Sequence, residues 1–149
     1  MQFHTHIHFN GQCEEAFRFY ERTLGARIES LLLYEGTPAA SQTAPEWHKK
    51  VIHGRINING QTLMACDCPA ECYTRPQGFS VSLTVKNSDE AERLFQALAE
   101  GGSVQMPLQE TFWAVRFGMA TDRFGIPWMI NCEKAHVELE SPENRYVTA

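Results

Sequence analysis

The chain reads as an α+β protein in which one β-α-β-β-β plan is used twice, with the two curved sheets enclosing a shared cavity. Three observations predict this. The stretches His4-Thr5-His6-Ile7-His8-Phe9 and Ser80-Val81-Ser82-Leu83-Thr84-Val85 both alternate polar and apolar, which is the period of a half-buried strand. Each leads into an amphipathic helix pattern, Glu14-Glu15-Ala16-Phe17-Arg18-Phe19-Tyr20 in the first half and Asp89-Glu90-Ala91-Glu92-Arg93-Leu94-Phe95 in the second. The strands correspond at an offset of 76 residues (4 to 80) and the helices at 75 (14 to 89), so the first strand–helix turn carries one extra residue. A repeat of this size in 149 residues gives a single domain of two modules, about 1–68 and 78–132, with a C-terminal tail.

Each element follows in order. In the first strand Thr5, Ile7 and Phe9 are expected against the helix, leaving His4, His6 and His8 on the concave face. Cys13, Ala16, Phe17, Tyr20 and Leu24 fall at helical spacing, and Gly25 ends that helix in a left-handed cap. Ile28 to Tyr34 is the next strand, and Thr37 to Glu46 is a loop rich in Pro, Ser, Thr and Ala. Val51 to Ile58 and Gln61 to Asp67 flank Asn59-Gly60, a two-residue hairpin signal. Alternation places His53, Arg55 and Asn57 on one face of that third strand, opposite Ile52, Ile56 and Ile58. Cys68 to Gly78, with two prolines, is the linker.

The second module opens with Val81, Leu83 and Val85 toward its helix and Ser80, Ser82 and Thr84 away from it. Its helix starts near Asn87 or Ser88, where Asn87 and Glu90 form a capping-box pattern. Ala91, Leu94, Phe95 and Leu98 make the stripe, and Gly101-Gly102 ends it. Val104 to Leu108 is a weak strand. Thr111 to Thr121 and Ile126 to Cys132 flank the turn Asp122-Arg123-Phe124-Gly125. Glu133 to Ala149 is charged and mostly aperiodic, hence a tail.

Composition narrows the function. A formal charge of −5 with no Lys/Arg cluster argues against nucleic acid or an anionic membrane as partner. No basic segment followed by an apolar run opens the chain, and no apolar stretch approaches a membrane span, so the expected location is the cytoplasm. Five cysteines, an odd number, read as reduced thiols. Gly-x-Gly-x-x-Gly, Walker and Gly-x-Ser-x-Gly motifs are all missing, which argues against nucleotide cofactors and serine hydrolysis.

Several residues carry candidate chemistry. Imidazoles two residues apart on one strand share a face and can grip a metal or shuttle protons; their plainer role is to line a wet cavity or a dimer interface. Cys66-Asp67-Cys68 with Cys72 offers half of a zinc site, with no second Cys pair at ribbon spacing to complete it. Arg55 can pair an anionic substrate group as a bidentate fork, or form a surface ion pair. Trp47, Trp113, Trp128, Phe112 and Phe117 supply apolar walls.

The run from Ile7 through Asn10-Gly11-Gln12-Cys13-Glu14-Glu15-Ala16-Phe17-Arg18-Phe19-Tyr20 to Leu24-Gly25-Ala26 resembles the opening of the PhnB-like family. That family belongs to the vicinal-oxygen-chelate superfamily, with glyoxalase I, the bleomycin- and fosfomycin-resistance proteins and extradiol dioxygenases. Val51-Ile52-His53-Gly54, Leu63-Met64-Ala65-Cys66-Asp67, Gln109-Glu110-Thr111-Phe112-Trp113 and Asp122-Arg123-Phe124-Gly125-Ile126-Pro127-Trp128-Met129-Ile130-Asn131 match the same branch. The resemblance covers about residues 3 to 132. It implies paired βαβββ modules around a cavity, a small-molecule ligand and a homodimer. It singles out His53 as the acid/base candidate and Asp67 as either a residue at the cavity mouth or a cap on the linker backbone. It also places Trp113 in the cavity wall, with His6, His8, Arg55 and Ser80 as further substrate-binding candidates.

Metal-dependent members of the superfamily bind a divalent ion from the first and last strands of both modules. Carried onto this chain, those positions fall on His4, on Ser80, near Met64 or Cys66, and on Met129. Only His4 is a proper ligand for the usual ion, and a catalytic site needs about three. The expected activity is therefore small-molecule binding without the usual metal and with no cofactor. The alternative is a metal-dependent lyase, isomerase or dioxygenase-type enzyme that uses His4 on a small oxygenated substrate. Relatives carry a demethylubiquinone methyltransferase-like label, yet no glycine-rich methyl-donor loop is present to support methyl transfer.

Overall fold

The computed structural model describes residues 1–135, so the predicted tail beyond Ala135 lies outside the described residues. The first half runs β1 (Thr5–Phe9), α1 (Cys13–Leu24), β2 (Arg27–Leu33), β3 (Val51–Ile58) and β4 (Gln61–Asp67). The second runs β5 (Val81–Thr84), α2 (Ser88–Ala99), β6 (Ser103–Gln109), β7 (Ala114–Thr121) and β8 (Pro127–Glu133). Each half forms a four-stranded mixed sheet, in the orders β1-β4-β3-β2 and β5-β8-β7-β6. The first strand pairs parallel with the last in both sheets, and the remaining pairs are antiparallel. This is the predicted α+β architecture, and every predicted strand and helix is present.

From His6 onward the sidedness of β1 agrees with the alternation, while Thr5, expected against the helix, is exposed and lines a cleft toward β5. Ile7 and Phe9 are buried while His6 and His8 are exposed. The hairpin at Asn59-Gly60 has φ of +50° and +86° at its two central residues, which is what its strands' right-handed twist requires. Asn87 caps α2, its side-chain oxygen accepting from the Glu90 N–H at 2.9 Å. The loop after β2 contains two short 3-10 turns, Pro38–Gln42 and Pro45–Trp47. The strand predicted from Thr111 starts at Ala114, because the Thr111 hydroxyl and backbone fold onto Ala114 in a turn.

Helix packing explains two strand glycines. A Cβ at Gly54 of β3 would lie 2.8 Å from the Phe17 ring, and one at Gly118 of β7 would lie 2.7 Å from the Phe95 ring. In each module a helix phenylalanine lies directly on sheet backbone, which only glycine permits. The Val-Ile-His-Gly run thus carries a packing residue beside the candidate acid/base.

The modules meet through α1, α2 and the turn after β7. Tyr20 of α1 donates its hydroxyl to Asp122 at 2.6 Å, and its ring packs on Trp128 at 5.2 Å between centroids. Asp122 is 3% exposed and also accepts from the Trp128 indole and from the Phe124 and Ile126 N–H groups. A buried carboxylate with four donors is fully compensated. The core is continuous across this junction, from Ile7, Phe17 and Tyr20 to Phe124, Trp128 and Ile130.

Candidate functional site

Strand alternation makes the open face of the first sheet. On β1 it presents His6 and His8; on the neighbouring β4, Met64 and Cys66 sit opposite them in register. One strand further, β3 contributes His53 and Arg55. The His6 ring lies 5.4 Å from His8 and 5.9 Å from His53, centroid to centroid. Partial burial, reinforced by the charges of His8 and His53, holds His6 below the ordinary imidazole value. With its proton affinity lowered, the His6 imidazole offers a neutral nitrogen to this face as a ligand or base.

Cys66 completes the group. The ligand atoms of His6, His8 and Cys66 all lie within 4.8 Å of one another. Burial, followed by the effect of Cys68 with its Sγ at 3.9 Å, pushes the Cys66 thiol up to about 12. The sequence pattern grouped Cys66 with Cys68 and Cys72. Its nearness to the histidines depends on parallel pairing of strands more than fifty residues apart, and no local spacing reveals that. All five cysteines are free.

Arg55 faces Glu29 at 3.7 Å, and its Nε is buried without a hydrogen-bond partner among the described residues. His4 precedes β1, and its Nε2 lies 3.4 Å from the Gln2 side-chain oxygen. It stands outside the His6–His8–Cys66 group. Asp67 also stands apart: it is 1% exposed, and its two oxygens accept from the Cys13 N–H and the Val51 N–H, each at 2.9 Å. The first α1 amide is thereby capped from β4, since Gln12 supplies no side-chain cap. Burial raises the Asp67 carboxyl above its usual value, opposed by those N–H groups and by Lys50.

Ser80 and Trp113 immediately precede β5 and β7 of the other sheet. Ser80 lines a cleft of about 500 Å³ with Met119 and Met129. Trp113 stacks edge-on with Phe117 at 5.3 Å and with Phe112, which is 68% exposed. A second cleft of about 360 Å³ lies between the edge strands β1 and β5, lined by Thr5, Leu63, Ser82 and Thr84 among others. Neither cleft takes in His6, His8 or His53. The predicted site residues thus fall into two groups within one chain, because the modules join through helices rather than through their open faces.

The ligand set of metal-dependent relatives does not fit here. Met129, beside Ser82 in register, and Ser80 are poor donors for a hard divalent ion, and His4 is not in the His6–His8–Cys66 group.

Comparison with known proteins agrees with this architecture. Residues 1–131 match the family model described as 3-demethylubiquinone-9 3-methyltransferase. Protein YjdN of Escherichia coli (strain K12) is 33% identical over 142 residues, covering 90% of this chain and 97% of that protein. The crystal structure of protein PA1353 from Pseudomonas aeruginosa is 47% identical with a TM-score of 0.78, covering 89% of this chain and 98% of that one. A putative 3-demethylubiquinone-9 3-methyltransferase, PhnB protein, from Bacillus cereus is 27% identical with a TM-score of 0.76, over 89% and 99% of the two chains. The fosfomycin resistance protein FosX from Listeria monocytogenes, 9% identical over 91% and 94% of the chains with a TM-score of 0.63, shares the fold alone.

Proposed function

The chain belongs to the PhnB-like family whose model is described as 3-demethylubiquinone-9 3-methyltransferase, and on that premise we propose that it binds a small oxygenated, anionic molecule on the open face of its first sheet. The observation that carries this reading is the His6–His8–His53 cluster on the same face as Arg55, whose Nε faces Glu29 at 3.7 Å and donates no hydrogen bond among the described residues. A guanidinium with a spare donor suits a carboxylate or phosphonate group, and the adjacent imidazoles suit hydroxyl or carbonyl oxygens. His53 is the acid/base candidate should the bound molecule react.

We further propose that the protein works as a homodimer. Asn131 on the second sheet also has a buried side-chain oxygen without a partner, as Arg55 has on the first. A partner chain or a bound molecule over the open faces would have to supply the hydrogen bonds that these two atoms lack. Methyl transfer is not part of the proposal. Among the described residues, two four-stranded sheets with one parallel pair each lack the strand switch point at which doubly wound folds hold nucleotide-like donors. The free thiols accord with a reducing cytoplasm. Among the described residues, no helix is long and apolar enough to cross a membrane.

A thermal-shift screen of small carboxylates, phosphonates and hydroxylated aromatics tests the reading. At least one class is expected to raise the melting temperature of the wild type, and Arg55→Met and His53→Gln are expected to lose that rise. Equal responses from wild type and variants, or no response from any class, contradict it.

A further inference from the structure

We propose that His6, His8 and Cys66 bind a zinc ion within the first module. This goes beyond the small-molecule reading and holds whether or not such a molecule is bound. The superfamily's usual ion draws ligands from both modules. This one draws all three from two neighbouring strands, β1 and β4, of a single sheet.

The donor chemistry selects the ion. Two imidazoles and a thiolate form a borderline-soft set that favours zinc over magnesium, calcium or manganese, which seek oxygen. The geometry is close to what a tetrahedral ion needs. Zinc bonds of about 2.0–2.3 Å put ligand atoms roughly 3.5 Å apart, and the three atoms here already lie within 4.8 Å. The remaining contraction is within reach of χ1 and χ2 rotation, since both histidines are exposed and free to turn. The backbone is already in place, because His8 and Cys66 are register partners. Binding replaces the Cys66 S–H bond with an S–Zn bond and releases the proton to solvent. Three protein ligands leave a fourth position open toward solvent, with His53 beside His6 and Cys68 beside Cys66. The Cys66-Asp67-Cys68 motif, half a zinc site by sequence, thus finds its missing donors on β1.

Cobalt(II) substitution with zinc competition tests this on the full chain. Wild type is expected to take up cobalt with a thiolate-to-cobalt charge-transfer band that stoichiometric zinc abolishes. Cys66→Ser should lose the band and weaken zinc by at least about 100-fold, more than the loss of a supporting partner costs. His6→Gln and His8→Gln, at exposed positions, should each lower affinity and give the same answer if Cys66→Ser unfolds; circular dichroism of the metal-free variants checks this. His4→Ala should bind as wild type. A missing thiolate band, a band that survives Cys66→Ser, or loss of binding only in His4→Ala overturns the assignment. Because no organic ligand is present, failure here leaves the thermal-shift result independent.

Discussion

Two buried side chains show at the residue scale how much single groups decide. Tyr20 is buried, and its hydroxyl donates to Asp122; burial, then the Asp122 charge, holds its phenol well above the ordinary value. A group whose folded pKa is raised contributes stability that is fully present below its unfolded value of about 10 and is lost as pH rises beyond it. Tyr20→Phe is therefore expected to cost about 1–3 kcal/mol at neutral pH. It should also flatten the alkaline fall in stability, as measured by urea unfolding at a series of pH values. Asp67 sets a second test. Asn in its place keeps one acceptor and turns an NH2 group toward a backbone N–H, so Asp67→Asn should lower stability by about 1–3 kcal/mol. Urea unfolding checks the loss, and hydrogen exchange should show faster opening at the Cys13 and Val51 amides. Neither pairing was legible in the sequence. Asp67 and Cys13 are 54 residues apart and Tyr20 and Asp122 are 102 apart, and both contacts exist only once the modules are folded.

Element boundaries, by contrast, were largely written in the sequence. Alternation in β1 and β5 set which side chains are covered, and Asn59-Gly60 and Asn87 set a turn and a cap through their own local hydrogen bonds. What local pattern left out is pairing. Register between β1 and β4 decides that His8 meets Cys66, and a spacing rule within one segment cannot report a partner on another. The strand glycines also acquire meaning only through packing. Gly54→Ala and Gly118→Ala each force a methyl into a helix phenylalanine ring and should cost about 1–3 kcal/mol through overpacking. Trimming that ring in the same chain, as in Gly54→Ala with Phe17→Leu, should recover part of the loss in thermal melts. Additive losses in the double variant would contradict direct contact as the cause.

For the whole molecule, duplication predicted the two sheets but not their mutual arrangement. Both modules line the cleft between β1 and β5, while the histidine face lies on one sheet and Ser80 and Trp113 lie by the other. Tyr20, Asp122 and Trp128 tie the two modules together on the helix side. A second copy is the simplest way to bring the two groups together, and analytical ultracentrifugation is expected to show a dimer whose dissociation weakens ligand binding. The central claim is that the first sheet's open face is the working site. Histidine side-chain NMR during titration with the carboxylate or phosphonate that most raises the melting temperature tests it most directly. His6, His8 and His53 are expected to shift together while His48, which is bonded to the Ala40 and Thr43 carbonyls, stays still. Shifts confined to Trp113 and the second sheet, with the three histidines unmoved, would contradict it.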